Sequence, residues 1–164
     1  MNILLMQLFF QCLSRYFLID VNSMCLPAST QSSRYNHALG AAYNAIDGNR
    51  NAAWVAGSCS HSNTATNPWW RVDLLESYIV TSISITNLDV LAERLDGAEI
   101  HIGNSLQENG AANPVCAVVE DIPPGFTESF QCGGMDGRFV NIVIPGRRAS
   151  LSLCEVEVHG SRLD

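Results

Sequence analysis

Apolar and polar positions alternate most cleanly in Ile79-Val80-Thr81-Ser82-Ile83-Ser84-Ile85-Thr86, a β-branched run with the period of a half-buried strand. Just before it, Asn67-Pro68 gives a turn signal and Trp69-Trp70-Arg71-Val72-Asp73-Leu74-Leu75 alternates again. Trp70, Val72 and Leu74 share one face, and Trp69, Arg71 and Asp73 share the other. Two adjacent tryptophans bury apolar area on both faces, as at the heart of a packed sheet, and Arg71 is expected to pair with Asp73. Residues 139–144 are apolar on both faces and predict a deeply buried strand, while in Cys154-Glu155-Val156-Glu157-Val158 the glutamates face one side and the valines the other. With shorter runs at 97–102, 116–119 and 127–132, and the last strand taken over 153–159, the pattern predicts seven strands. Between them stand Asn104-Ser105, Asn109-Gly110, Asn113-Pro114 and Pro123-Pro124-Gly125, all strong turn formers. Helical periodicity is weak after Pro27 and no internal repeat is visible, so the chain reads as one all-β sandwich.

The first residues follow a different pattern. The run Ile3-Leu4-Leu5-Met6-Gln7-Leu8-Phe9-Phe10 resembles a secretory apolar region, and polar breaks at Gln7, Gln11 and Ser14 argue against a membrane-spanning helix. Residues 1–28 are therefore expected to be a signal peptide or N-terminal leader, and 29–164 a single secreted domain. The length of 164 residues suits one domain, and a formal net charge of −7 argues against nucleic acid or anionic membrane as main partners. Six cysteines are present, and removal of a leader past Cys25 leaves Cys59, Cys116, Cys132 and Cys154, an even set suited to two disulfides with three pairings open. None has CxxC spacing, and Cys59-Ser60-His61 alone is poor evidence for zinc.

Three polar clusters remain. Asn44-Ala45-Ile46-Asp47-Gly48-Asn49-Arg50-Asn51 mimics the start of an EF-hand loop, but Ala52 stands where that loop needs glycine and Ser58 where it needs glutamate. A hard cation could still bind through side-chain and main-chain oxygens with a carboxylate from elsewhere. Gly57-Ser58-Cys59-Ser60-His61 precedes the double-tryptophan strand, and Asp89-Val90-Leu91-Ala92-Glu93-Arg94 follows the β-branched one. Taken alone, the first carries a lone histidine and the second a solvated Asp–Arg pair of little energetic weight. Neither a nucleophile motif nor a paired-carboxylate constellation is present, so the chain is not expected to be an enzyme.

Their order along the chain changes the picture. Gly-x-Cys-x-His, Asn-Pro-Trp-Trp-Arg-Val-Asp-Leu, Ile-Thr-Asn, Gly-Ala-Glu-Ile-x-Ile-Gly-x-Ser-Leu, Asn-Pro-x-Cys-Ala-Val, Cys-x-Gly-Met-x-Gly-Arg, Ile-Pro-Gly-Arg and Leu-Cys-Glu-Val-Glu-Val follow one another from about Ser29 to Gly160. This series closely resembles the F-type lectins, or fucolectins. The resemblance implies a discoidin-like β-jelly roll, pairing of Cys59 with Cys154, and pairing of Cys116 with Cys132 across a hairpin. It also implies a Ca²⁺ site made by Asn44 and Asn49 through main-chain oxygens, Asp47, Ser58, the Cys154 carbonyl and Glu155.

The sugar motif of such lectins is a histidine followed by an Arg-x-Asp-x4-Arg/Lys segment. His61, Asp89 and Arg94 match it, whereas Leu88 stands where the first arginine belongs, in a loop about one residue shorter. Val90 and Leu91 replace the adjacent cysteines found in many members, and Trp54 is a candidate lid over the sugar. Arg71-Val72-Asp73 imitates the motif but has Tyr78 in place of the second base. The implied function is a secreted, calcium-containing lectin for L-fucose or related terminal sugars on glycans, with weakened or altered specificity. The alternative is a lectin fold without sugar binding that recognises a protein through Leu88, Val90 and Leu91, exposed on their loop. Either is compatible with homo-oligomers, since weak single sites gain avidity by clustering.

Overall fold

The computed structural model describes residues 27–163 and builds from them ten strands, every pairing antiparallel. They are β1 (Ala28–Gln31), β2 (Ser60–His61), β3 (Ala65–Thr66), β4 (Trp69–Thr86), β5 (Glu99–Gly103), β6 (Val115–Val118), β7 (Thr127–Val143), β8 (Arg148–Ala149), β9 (Ser152–Leu153) and β10 (Glu155–Arg162). The leader expected over 1–28 lies outside the described residues except for Pro27 and Ala28, and Ala28 opens β1 opposite Asp73.

The seven expected strands are all found, but four of them fuse into two. Segments 69–75 and 79–86 form the single strand β4, and 127–132 and 139–144 merge into β7. The polar residues between them do not end a strand; they bend it. Register slips between Asp73 and Tyr78, where Leu75 takes a φ of 73°, and β7 turns at Gly133 and Gly134 with φ of 63° and 80°. Paired on both sides of these irregularities, β4 and β7 make a ribbon that folds over on itself.

Its two halves lie in facing layers. One layer holds β1, the first half of β4, the second half of β7, β5 and β6; the other holds the second half of β4, the first half of β7, and β10. Trp70, Val72, Leu74, Ile100, Val140 and Ile142 from the first layer and Val80, Ile83, Ile85, Val156 and Val158 from the second form one buried cluster. This is the all-β jelly-roll sandwich, with alternate residues of both layers turned inward. At the fold-over, a Cβ on Gly137 would lie 2.6 Å from the backbone nitrogen of Gly103, so only glycine allows the ribbon to cross β5 there.

Two sequence expectations need correction. Asp73 does not pair with Arg71: it makes a two-pronged ion pair with Arg138 at 2.7 Å from across the ribbon. Arg71 instead lies over Trp69 at 5.0 Å and Phe139 at 5.8 Å, where ring faces attract a cation. The disulfides are Cys59–Cys154 and Cys116–Cys132, but the second does not close a paired hairpin. β6 pairs with β5, so that bond ties an edge strand across to β7.

Candidate functional site

Folding the ribbon brings both ends of β4 to one pole. Here the segments 32–68, 87–98 and 144–154 meet, and all the residues singled out for binding lie on them except Glu155, which opens β10 directly after. Cys59–Cys154 is the floor of this pole: Leu88 (3% exposed), Ala52 and Trp54 pack on the bridge.

His61 ends β2 and lies opposite Ser152. Its Nδ1–H donates to the Ser62 carbonyl at 2.7 Å, which leaves the Nε2 lone pair facing Arg94 Nη1, the donor at 3.3 Å. Burial lowers the pKa of the imidazole, and the nearby Arg94 charge lowers it further, against the raising effect of the Ser62 bond. His61 is therefore held neutral near pH 7, with one nitrogen an acceptor. The ring forms a triangle with Tyr35, at 4.9 Å, and Trp54, edge-on at 5.0 Å, whose own rings are 6.2 Å apart. Gly40 makes this approach feasible, since a Cβ there would come within 3.1 Å of the His61 carbonyl and 3.4 Å of Trp54.

Arg94 is presented by the short helical turn Ala92–Leu95, entered through Leu91 at a left-handed φ of 54°. Val90 and Leu91 are about half exposed beside it. Asp89 is exposed and fixed only by its backbone, whose N–H donates to the Ala52 carbonyl at 3.1 Å. Thus His61, Arg94 and Trp54 converge, while the Asp89 carboxylate makes no hydrogen bond among the described residues.

Leu88 is a correction to the reading of this loop. It is not exposed but tucked against the disulfide, where an apolar side chain belongs. A further residue, Tyr35, escaped the sequence reading. It reaches His61 through tertiary folding, its N–H donating to the His61 carbonyl at 2.9 Å, and the local Ser-Arg-Tyr-Asn-His stretch carries no spacing that would reveal it.

Behind the disulfide, the Asn44–Asn51 loop lies on β10. Asp47, Asn49 and Asn51 each accept a backbone N–H two residues onward, at 2.8, 3.1 and 3.0 Å. Their alternate spacing therefore makes successive Asx turns, not an EF-hand. The Asn44 side-chain amide donates to the Cys59 carbonyl at 3.1 Å, and the Ser58 hydroxyl donates to Asn51. Buried Glu155 accepts one hydrogen bond, from Gly48 N–H at 3.2 Å. Burial, then the neighbouring Asp47 charge, pushes its pKa to about 8. Next to it, Arg50 forms an ion pair with Glu157.

Among the described residues the Glu155 carboxylate makes no ion pair, and the nearby Arg50 charge, spent on Glu157, only partly offsets its burial. No three His, Cys, Asp or Glu side chains converge as a metal cage among the described residues, so a cation here would have to be held largely by carbonyl and amide oxygens. Those are the donors that the expected set Asn44, Asp47, Asn49, Ser58, Cys154 and Glu155 offers, and they fit a hard ion such as Ca²⁺.

Comparison with known proteins gives a consistent result. The sequence profile of the NedA-like, galactose-binding domain matches residues 44–142. A fucolectin of Anguilla anguilla is 49% identical over 136 residues, 80% of this chain and 85% of that protein. The crystal structure of an F-lectin (fucolectin) from Morone saxatilis serum superposes with a TM-score of 0.82 at 54% identity, covering 84% of this chain but 46% of that longer one. The lectin domain of lectinolysin, solved with Lewis B antigen, superposes with a TM-score of 0.68 at 27% identity, over 82% of this chain and 93% of that one.

Proposed function

The chain belongs to the F-type lectin (fucolectin) family, and on that footing we propose that it is a secreted lectin binding L-fucose or a closely related terminal sugar at His61 and Arg94. Like its relatives it is a carbohydrate-binding protein and not an enzyme. Secretion is supported by the two disulfides, which persist in oxidising compartments, and by the serum origin of the bass lectin.

The observation that carries the reading is the contact of neutral His61 Nε2 with Arg94 Nη1 at 3.3 Å, flanked by two aromatic rings. The Nε2 lone pair and the guanidinium that now meet each other match adjacent sugar hydroxyls: one hydroxyl donates to the imidazole in place of Arg94, and one accepts from the arginine. Tyr35 and Trp54 supply apolar surface for the carbon face or methyl of a deoxy sugar. With Leu88 turned inward, no second arginine comes from that position, and Val90 and Leu91 offer apolar contact instead. Each charge-assisted hydrogen bond is worth roughly 1.5–3 kcal/mol, so affinity for one sugar is expected to be weak and specificity altered.

In the same reading Asn44, Asp47, Asn49, Ser58, Cys154 and Glu155 hold Ca²⁺. The ion would supply the positive charge that Glu155 and Asp47 lack, and so brace the pole from behind. A protein-binding role without sugar loses one support, because Leu88 is buried and only Val90 and Leu91 remain exposed.

A glycan array, run with calcium and then with chelator, tests the proposal. Binding to fucosylated glycans, displaced by free L-fucose and weakened by about tenfold or more in Arg94→Ala, is expected. A blank array from folded, calcium-loaded protein, or an Arg94→Ala variant that binds as before, would sink it.

A further inference from the structure

Arg94 is on one loop and His61 on another, and their contact depends on how those loops are set relative to each other. The segment between β7 and β10 touches both. At one end of it, exposed Arg147 sends Nη2 to the carbonyl oxygens of Arg94, at 3.0 Å, and Asp96. These two carbonyls bracket the end of the turn that presents Arg94. A few residues on, Ser152 pairs with His61, the Leu151 carbonyl accepts Ser62 N–H at 2.9 Å, and Leu151 N–H donates to Ser62 Oγ at 2.8 Å.

Arg147 itself is anchored from below. Asn67 N–H donates to its carbonyl at 3.3 Å, Gly146 N–H donates to Asn67 Oδ1 at 2.7 Å, and Arg148 pairs with Thr66 in the β3–β8 ladder. The base of the guanidinium is therefore fixed to the same rigid segment that carries the partner of His61.

We infer that Arg147 is a positioning residue: by clamping the Ala92–Leu95 turn onto the β8–β9 segment, it sets Arg94 against His61 and so builds the sugar-binding pair. The sugar part of this inference rests on the function proposed above. Both bonds leave the single Nη2, so a lysine ammonium, which also carries several N–H donors on a shorter stem, can replace part of the clamp. Neighbouring Arg148 makes no side-chain bond to that turn among the described residues, so it serves as the control.

The test uses the full chain and three variants, Arg147→Met, Arg147→Lys and Arg148→Met. In each, the His61 ring is titrated by NMR without sugar, L-fucose affinity is measured by calorimetry, and the melting temperature is recorded. The ionisable groups against the ring are Arg94 and Tyr35. Arg147→Met is expected to lower fucose affinity roughly tenfold, keep the melting temperature near wild type, and move the His61 titration upward as Arg94 swings away. Arg147→Lys should restore part of both, and Arg148→Met should match the wild type.

An unchanged His61 titration in Arg147→Met overturns the inference whatever the sugar data show. A titration that moves upward while no variant, wild type included, binds fucose supports the clamp and removes the sugar reading. Should Arg147→Met not fold, the Arg147→Lys titration decides, an upward shift supporting the clamp and no shift overturning it.

Discussion

His61 and Glu155 are two buried ionisable groups at one pole of the sandwich, each within two residues of an end of the Cys59–Cys154 bridge. The fold treats them in opposite ways. Around His61 the account is closed: both ring nitrogens have partners and the charge is removed, so a ligand hydroxyl reaches the Nε2 lone pair by taking the place of Arg94. Around Glu155 it is open, with one backbone donor, a second carboxylate nearby, and a pKa lifted to about 8. In the proposed reading, the contrast separates a recognition element organised before its ligand arrives from a support that a cation would complete.

The largest expected effect breaks both sides of the contrast together. Replacing Cys59 and Cys154 by alanine removes a bridge that spans 95 residues, worth about 4.5 kcal/mol by the chain-entropy estimate. Denaturant unfolding should show a loss of that order, with sugar and calcium responses both impaired. A second, smaller perturbation strikes the shared floor. Leu88→Ala is expected to cost about 2–4 kcal/mol, as for a buried leucine, and Leu88→Arg should destabilise without tightening fucose binding. A gain in affinity from Leu88→Arg would mean that the loop can turn this side chain outward.

The third separates the two groups. Calcium at a hundredfold excess over its Kd should stabilise the protein by about 2.7 kcal/mol. Glu155→Gln should abolish most of that increment while leaving the calcium-free protein at least as stable as before. A melting curve that ignores calcium in the wild type would remove the cation from the reading. The smallest effect restores the charge that His61 lacks. Its pKa is depressed below the ordinary 6.5, so its contribution is full above that value and lost as pH falls towards the folded-state pKa. Fucose affinity should weaken over the same acidic window, by about tenfold, as an imidazolium meets Arg94 and the acceptor lone pair disappears. Affinity independent of pH down to the carboxylate range would exclude His61 as the acceptor.

Much of the fold was legible in the sequence because burial enforces the period of a strand. The alternation at 79–86 and the two-sided apolar run at 139–144 each became part of a long central strand. Continuity was not legible: Leu75-Glu76-Ser77 reads as a break, and only pairing with β7 across the bend makes it part of one strand. Strands of two residues, such as β2 and β8, carry no period at all. At the site, the spacing from Asp89 to Arg94 and the position of His61 singled out loops that the fold brings together, because motif order reports which loops meet. Leu88 was misjudged as exposed because a leucine in a polar loop has no sequence signature that distinguishes an outward side chain from one lying on a disulfide. Tyr35 was invisible for the opposite reason: its neighbours in space are far along the chain.

The fold-over of the ribbon has one more consequence. β1 begins opposite Asp73 and β10 ends opposite Tyr78, so the first and last strands of the sandwich both reach the bend in β4 at the pole away from His61. A short peptide joining Ala28 to Arg162 should therefore be accommodated, and circular permutants opened elsewhere should keep their shape. For the same reason, a stalk or neighbouring unit attached at either of these points would hold the molecule by its base, leaving its recognition loops facing a glycan-bearing surface.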